Sequence, residues 1–139
     1  MLQFFSETRF KLQEQEIRQD WLFACADKFN REVSDLNYIF CSDNYLLKIN
    51  QQHLNHNYYT DIISFDYSDE HSVSGDIFIS VDRVADNAFE YNEFFDVELA
   101  RVMAHGLLHL VGFKDKTEEE ANEMRLMENE CLALLYAFD

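Results

Sequence analysis

Residues 101–116 of the chain read RVMAHGLLHLVGFKDK. Apolar residues recur there with helical spacing, and His105 and His109 stand four positions apart, so a helix places both imidazoles on one face. Gly112 has the position of a glycine that ends a helix in a left-handed backbone conformation. The chain can fold back at that point, which brings Asp115 within reach of the two imidazoles. The stretch therefore predicts a helix, a reversal and three candidate metal ligands.

Three protein ligands leave one coordination position of a metal ion open, as in catalytic zinc sites. We therefore predict one divalent metal ion, with zinc as the expected element, held by His105, His109 and Asp115. These residues would act in catalysis through a water molecule on the metal. Two alternatives stay open from the residues alone. A buried histidine is more often structural than a ligand, and Asp115 could instead cap the last helix or interact with its dipole.

The residue after His105 is Gly106, whereas the peptidase motif HExxH has a glutamate there as general base. A peptidase of that mechanism is therefore disfavoured. The water would have to be activated by the metal itself or with help from a carboxylate elsewhere in the chain. Gly106 is expected instead at a place where another stretch of backbone packs closely.

The composition suits one domain spanning residues 1–139 with a hydrophobic core. The chain has 11 basic and 27 acidic residues, and its formal net charge is −16. This balance argues against non-specific binding to bare nucleic acid, and DNA is not an expected partner, because phosphate neutralisation needs lysine and arginine. An RNA substrate would require a metal ion, a local basic patch or a larger assembly to offset the repulsion.

Three features of the sequence predict a cytoplasmic protein without a membrane partner. Residues 1–10 lack the apolar run and the cleavage site of a signal peptide. No stretch approaches the roughly 20 apolar residues of a membrane span. The three isolated cysteines, Cys25, Cys41 and Cys131, are expected to be reduced core residues.

Hydrophobic periodicity predicts the element order β-α-β-α-β-β-α-α-α. The predicted strands are residues 1–5, 36–41, 61–65 and 76–80, with a polar, turn-like segment at 66–75. The predicted helices are residues 13–29, a short helix capped by Ser42 or Asp43, a helix capped by Ser80, residues 96–111, and residues 118–136 behind a capping box of Thr117 and Glu120. The predicted fold class is α+β, an α/β layered domain in which a small mixed sheet of about four strands packs with about five helices.

The histidine stretch resembles the hallmark HGxLHLxGYDH of the YbeY family of rRNA maturation factors, which are metal-dependent endoribonucleases. The chain matches the hallmark from His105 to Gly112 and has Phe113 in place of the tyrosine. Residues 60–65, TDIISF, are similar to the family's TDVLSF, and residues 75–80, GDIFIS, are similar to its GDIxIS. The resemblance extends over roughly residues 35–135, including a last helix that contains Met124, Glu128 and Leu132.

The chain departs from the family pattern at two places. Asp115 stands where the family has its third histidine, and Lys114 stands where the family has the preceding aspartate. An aspartate is a competent ligand, but its negative charge lowers the Lewis acidity of the metal and could favour a harder ion than zinc. Leu54 stands where the family has an arginine, so a cation that could hold phosphate is missing there. His53 and His56 are nearby replacements or, equally, solvated histidines without that role.

The resemblance implies a zincin-like fold with the metal at one edge of the sheet. It also implies a single-strand-specific endoribonuclease of rRNA maturation, acting at the 16S rRNA 3′ end and in ribosome quality control, with rRNA and the small ribosomal subunit as partners. One metal ion would activate water or polarise the phosphodiester. Arg101 is a candidate phosphate contact or only a surface charge. Asp61 and Asp76 would either orient the metal ligands or serve as capping and turn residues.

Two other functions remain open from the sequence. The paired histidines and the acidic surface are also compatible with a metal-dependent hydrolase of another substrate, such as a peptidase. The missing arginine at position 54 is compatible with a ribosome-associated binding protein that has a structural metal.

Overall fold

The computed structural model describes residues 1–137, which form nine elements in the predicted order. The strands are β1 (Leu2–Ser6), β2 (Glu32–Cys41), β3 (Ile62–Asp66) and β4 (Ser72–Ser80). The helices are α1 (Gln15–Lys28), α2 (Asp43–His53), α3 (Val81–Glu90), α4 (Phe95–Val111) and α5 (Glu118–Tyr136). The predicted α+β class, with a four-stranded mixed sheet and five helices, is confirmed.

The sheet has the strand order β1-β2-β4-β3, in which β3 is an edge strand. β1 and β4 run parallel to β2, and β3 runs antiparallel to β4. Alternate residues of β4 point to opposite faces: Ile77 packs in the main core with α4, whereas Phe78 packs in a smaller cluster with Leu46 of α2. Helices therefore cover both faces of the sheet, as expected for a layered domain.

Two strands begin earlier than the sequence predicted. Glu32 pairs with Ser72 and Val33 pairs with Val73 ahead of a β-bulge, so β2 and β4 each gain an N-terminal extension. The prediction of a turn-like segment at 66–75 was therefore wrong for residues 72–75. Only Val73 of these four residues is apolar, and it packs in the main core; the segment belongs to the strand because the partner strand satisfies its backbone groups. Local hydrophobicity does not reveal a pairing of that kind.

The central helix is α4, in which ten of the 17 residues are buried. At Gly106 a Cβ atom would lie 2.9 Å from both Ile62 Cδ1 and Ile77 Cγ2. The expected close approach is therefore present, but it was wrongly assigned to backbone: the neighbours are side chains of the sheet. Backbone approaches closely at Gly75 instead, where a Cβ atom would overlap the carbonyl oxygen of Phe65.

The local capping signals are confirmed. Ser42 and Ser80 accept hydrogen bonds from the backbone N–H groups of Tyr45 and Arg83, and Thr117 forms the predicted capping box with Glu120. The three cysteines are free thiols in the core. Among residues 1–137, the helices are too short or too polar to cross a bilayer.

Candidate metal centre

Helix α4 and the reversal after it bring the three predicted ligands together. The Nε2 atoms of His105 and His109 lie 3.0 Å apart, because the two residues are one turn apart on the helix. Gly112 ends α4 with φ 123°, and the backbone N–H groups of Gly112 and Phe113 both donate to the carbonyl of Leu108. The chain then returns, and Asp115 Oδ2 lies 3.2 Å from His105 Nε2 and 3.4 Å from His109 Nε2.

Both imidazole rings are held by hydrogen bonds on the nitrogen that faces away from Asp115. His109 Nδ1 lies 3.0 Å from the carbonyl oxygen of Phe113, and His105 Nδ1 lies 2.6 Å from Glu128 Oε2. Because a carbonyl and a carboxylate accept, Nδ1 of each ring carries the hydrogen and Nε2 of the neutral ring has a free lone pair. The two Nε2 lone pairs and one oxygen of Asp115 thus face a common point. The Glu128 carboxylate and the Phe113 carbonyl accept from the opposite nitrogens, as such acceptors usually do for metal-binding histidines.

The spacing of the three atoms fits a small divalent cation. Ligands about 2.0–2.2 Å from a tetrahedral zinc ion lie roughly 3.3–3.5 Å from one another. The edges of the triangle formed by His105 Nε2, His109 Nε2 and Asp115 Oδ2 are 3.0, 3.2 and 3.4 Å. Within residues 1–137, one cluster of three or more histidine, cysteine or acidic side chains has its ligand atoms this close together, and it consists of these three residues. All three side chains are partly exposed, so the open side of the site is accessible to a substrate.

The charges around the site influence its protonation. Burial lowers the pKa of His105, but its hydrogen bond and charge interaction with Glu128, together with the charges of Asp115 and Asp61, outweigh burial, so the net pKa is raised. For Glu128, burial raises the pKa, and the interactions with His105 and Arg101 outweigh it and lower the pKa overall. Glu128 therefore stabilises the protonated form of His105, and His105 and Arg101 stabilise the ionised form of Glu128.

Arg101 is placed by the structure against Glu128. Its Nη1 atom donates to Glu128 Oε1 at 3.1 Å and to Asn129 Oδ1 at 2.9 Å. This contact fixes the carboxylate that orients His105, which is a different position from the free phosphate ligand suggested by the sequence. Arg101 still borders the cavity beside His105, so a contact with phosphate remains a prediction.

A groove runs past the three side chains. It consists of a cavity of about 630 Å³ toward the loop after α2 and a cavity of about 300 Å³ toward α3 and α5. Both cavities are lined by Asp61, Ile62, His105 and Asp115, which therefore lie where the two parts of the groove meet. Burial raises the pKa of Asp61, and Asn87 Nδ2 donates to its carboxylate at 3.4 Å.

Asp76 does not approach the histidines. It lies on the sheet face opposite to Ile77, its Oδ1 accepts from Asn37 Nδ2 at 3.0 Å, and it borders a separate cavity of about 650 Å³ beneath α2. This cavity is slightly larger than either part of the groove, but it lacks the histidine cluster. Of the two predicted positioning carboxylates, the structure therefore brings only Asp61 to the site, and Asp76 forms a cross-strand contact instead.

The two histidines suggested as replacements for the missing arginine are separated by the structure. His56 and Leu54 line the 630 Å³ part of the groove, together with His105 and His109. His53 instead packs against Phe65 and lines the cavity beneath α2. Only His56 is therefore positioned to contact a ligand of the groove.

Glu128 was not predicted as a site residue. It is 5% exposed and lies between Met124 and Leu132, at four-residue spacing on the apolar face of α5. A charged residue inside an apolar stripe indicates a buried partner, since an isolated buried carboxylate is costly. That pattern is the sequence signal that could have identified Glu128.

Comparison with known proteins identifies the family of the chain. The family model of endoribonuclease YbeY matches residues 4–136. The chain belongs to the YbeY endoribonuclease family. Among its relatives, an endoribonuclease YbeY of Flavobacterium johnsoniae is 48% identical over 136 residues, covering 98% of each chain. One of Cytophaga hutchinsonii is 50% identical over 133 residues, covering 94% of this chain and 93% of that one.

A solved structure has the same fold. The match to the solution structure of TM1509 from Thermotoga maritima covers 99% of this chain and 90% of that chain, with a TM-score of 0.72 and 25% sequence identity. The resemblance stated from the histidine hallmark is thus confirmed, and so is the expectation of a metal-dependent endoribonuclease. The triad of this YbeY family member consists of two histidines and an aspartate.

Proposed function

We propose that this YbeY family member is a cytoplasmic, single-strand-specific endoribonuclease that matures the 3′ end of 16S rRNA and acts in ribosome quality control. The observation that carries the proposal is the convergence of His105 Nε2, His109 Nε2 and Asp115 Oδ2 in the lining of the groove. The family match favours RNA over a peptide as substrate. We further propose that residues 1–139 form one domain and that rRNA and the small ribosomal subunit are its partners.

The three converging side chains would hold one divalent metal ion, with zinc as the proposed element. When bound, such an ion supplies Lewis acidity to a phosphodiester and to a water molecule. The carboxylate of Asp115 reduces that acidity relative to a third histidine and widens the choice toward harder ions such as Mn²⁺. Glu128 and the Phe113 carbonyl keep both rings in the Nδ1–H tautomer, so that Nε2 is available as a ligand atom.

Other residues of the groove would position the RNA and move protons. Asp61 borders both cavities, and because burial raises its pKa it can hold a proton at Oδ1 or Oδ2 more readily than a surface carboxylate. We assign it to proton transfer. Among the described lining residues of the groove, Arg101, Arg125 and Lys116 are the permanently charged cations, and they would contact phosphates of the RNA.

Cleavage of RNA by metal-reconstituted protein tests the proposal. Protein stripped with a chelator is supplied with Zn²⁺ or Mn²⁺ and incubated with single-stranded RNA that contains a 16S 3′ end, with the same RNA as a duplex, and with casein. We expect metal-dependent cleavage of the single strand only, and its loss in His109→Ala. Cleavage that persists in clean His109→Ala preparations, or degradation of casein without cleavage of RNA, would contradict the proposal.

A further inference from the structure

We propose that His56 and Tyr58 form a stacking platform for a nucleobase of the RNA strand that occupies the groove. The inference deepens the proposed function and rests on it, because it assigns a binding role to residues outside the metal centre. Both side chains line the part of the groove that also contains His105, His109 and Asp115.

The two rings already form an exposed stack. Their centroids lie 5.1 Å apart with an interplanar angle of 22°, and the Tyr58 hydroxyl lies 3.0 Å from His56 Nδ1. Tyr58 is 56% exposed, although an aromatic side chain gains free energy by leaving water. A flat aromatic surface that is kept in solvent at the edge of a binding groove suits a ligand with a planar ring.

The loop that carries the platform is fixed by Asn50, a buried residue of α2. Asn50 Nδ2 donates to the carbonyl oxygen of Tyr58 at 2.8 Å, and the carbonyl oxygen of Asn50 accepts from the backbone N–H of His56 at 3.0 Å. The next residue, Tyr59, is held separately: the Arg83 guanidinium lies 5.4 Å from its ring centre, and its hydroxyl donates to Asn44 at 3.3 Å. The platform is thus preorganised, which reduces the entropy lost on binding.

The charge of this part of the groove favours stacking as the source of affinity. Its described lining includes the carboxylates of Asp61, Asp66 and Asp115, against one permanently charged cation, Lys116. Few phosphates can be neutralised there, whereas stacking on an aromatic ring requires no charge and accepts any base. Bases are accessible to such a platform only in unpaired RNA, so the platform would also contribute to the preference for single strands.

Tyr58→Trp provides a direct test, because the only tryptophan of the chain, Trp21, is fully buried. The metal-free variant, which cannot cut, is titrated with an eight-residue oligoadenylate and with an abasic ribose-phosphate chain of the same length and charge. We expect the oligoadenylate to quench the fluorescence of the introduced tryptophan and the abasic chain to leave it unchanged. Equal quenching by both probes, or by neither, would overturn the proposal.

Affinity measurements complete the test. We expect Tyr58→Ala to weaken oligoadenylate binding by about 5- to 150-fold, the usual range for one stacked base, and to leave binding of the abasic chain unchanged. Tyr67→Ala is the matched control, since Tyr67 is 66% exposed and borders the cavity beneath α2. Unchanged oligoadenylate binding in Tyr58→Ala would reject the platform. Metal-dependent cleavage by the wild type is scored separately, so failure of the platform and failure of the proposed function give different results.

Discussion

At the scale of single residues, Glu128 is the side chain on which the geometry of the metal centre depends most. It accepts from His105 Nδ1 and is itself held by Arg101, although it comes from a different helix than the histidines. Without an acceptor behind it, the His105 ring could rotate or present the wrong tautomer to a metal ion. The carboxylate also makes the ring more basic and therefore a better ligand.

We expect Glu128→Gln to weaken zinc affinity by about 10- to 100-fold, the usual effect of losing such an acceptor. The amide can still occupy the space, but it lacks the charge that strengthens the bond to His105. A competition titration against a chromophoric chelator measures the change. Glu130→Gln is the control, because Glu130 lies on the same helix and pairs with Lys28; equal affinities of the two variants would remove Glu128 from the centre.

A second prediction concerns the dependence of metal binding on pH. The net pKa of His105 is raised from 6.5, and the additional proton must go to Nε2, the atom that faces Asp115. Protons therefore compete with the metal already above about pH 6.5. As the solution is acidified, we expect the apparent zinc affinity to start falling before the pH has dropped to about 6.5. An affinity that stays constant down to pH 6.5 would show that His105 is not protonated in the metal-free site.

At the scale of elements, the end of α4 determines whether the third ligand is present. Gly112 has φ 123°, a conformation that side-chain-bearing residues rarely adopt, and the reversal there returns Asp115 to the two histidines. The site is therefore built by one helix and its termination, with α5 supplying the acceptor behind His105.

Gly112→Ala is expected to lower the free energy of unfolding by about 1–3 kcal/mol, the usual cost of an unfavourable backbone conformation. It should also reduce zinc affinity, since the strain is relieved by moving the segment that contains Asp115. Denaturant titration and metal competition measure both effects. Lys114→Ala, an exposed change in the same segment, should alter stability by less than about 0.5 kcal/mol; equal effects of the two substitutions would contradict this explanation.

Elements with local signals were predictable from the sequence. Helix α4 was expected at residues 96–111 and spans Phe95–Val111, because its apolar periodicity and its terminal glycine are both local features. The caps at Ser42, Ser80 and Thr117 were predictable for the same reason. The three candidate ligands followed from helical spacing and one reversal.

Features that depend on distant parts of the chain were not predictable. The early part of β4 pairs with Glu32 and Val33, some 40 residues away in sequence, and its single apolar residue, Val73, is too weak a local signal to predict a strand. Asp61 and Asp76 were both predicted at strand starts, but Asp61 directly precedes β3 and Asp76 lies in the middle of β4. Only Asp61 faces the groove, because the side on which a strand residue points depends on the sheet it joins. The stack of His56 on Tyr58 likewise depends on hydrogen bonds between its loop and Asn50, a residue of α2.

At the scale of the whole molecule, the net charge of −16 limits how RNA can be bound. Only three permanently charged cations border the groove among its described lining residues: Arg101, Arg125 and Lys116. Because each phosphate neutralised on a single strand contributes about −0.7 to the slope of log affinity against log salt, the slope should be about −2 or shallower. Titration of an unstructured RNA at salt concentrations between about 50 and about 300 mM measures this slope. A slope steeper than about −4 would require a basic surface outside the groove.

The central claim is that one metal ion is held by two imidazoles of α4 and the carboxylate that follows its end. A crystal structure of the zinc-loaded protein, with anomalous diffraction collected at the zinc edge, tests it most directly. The predicted result is one anomalous peak bonded to His105 Nε2, His109 Nε2 and Asp115, with His105 Nδ1 still on Glu128. A peak elsewhere in the molecule, or a zinc ion at this position without contact to Asp115, would contradict the account.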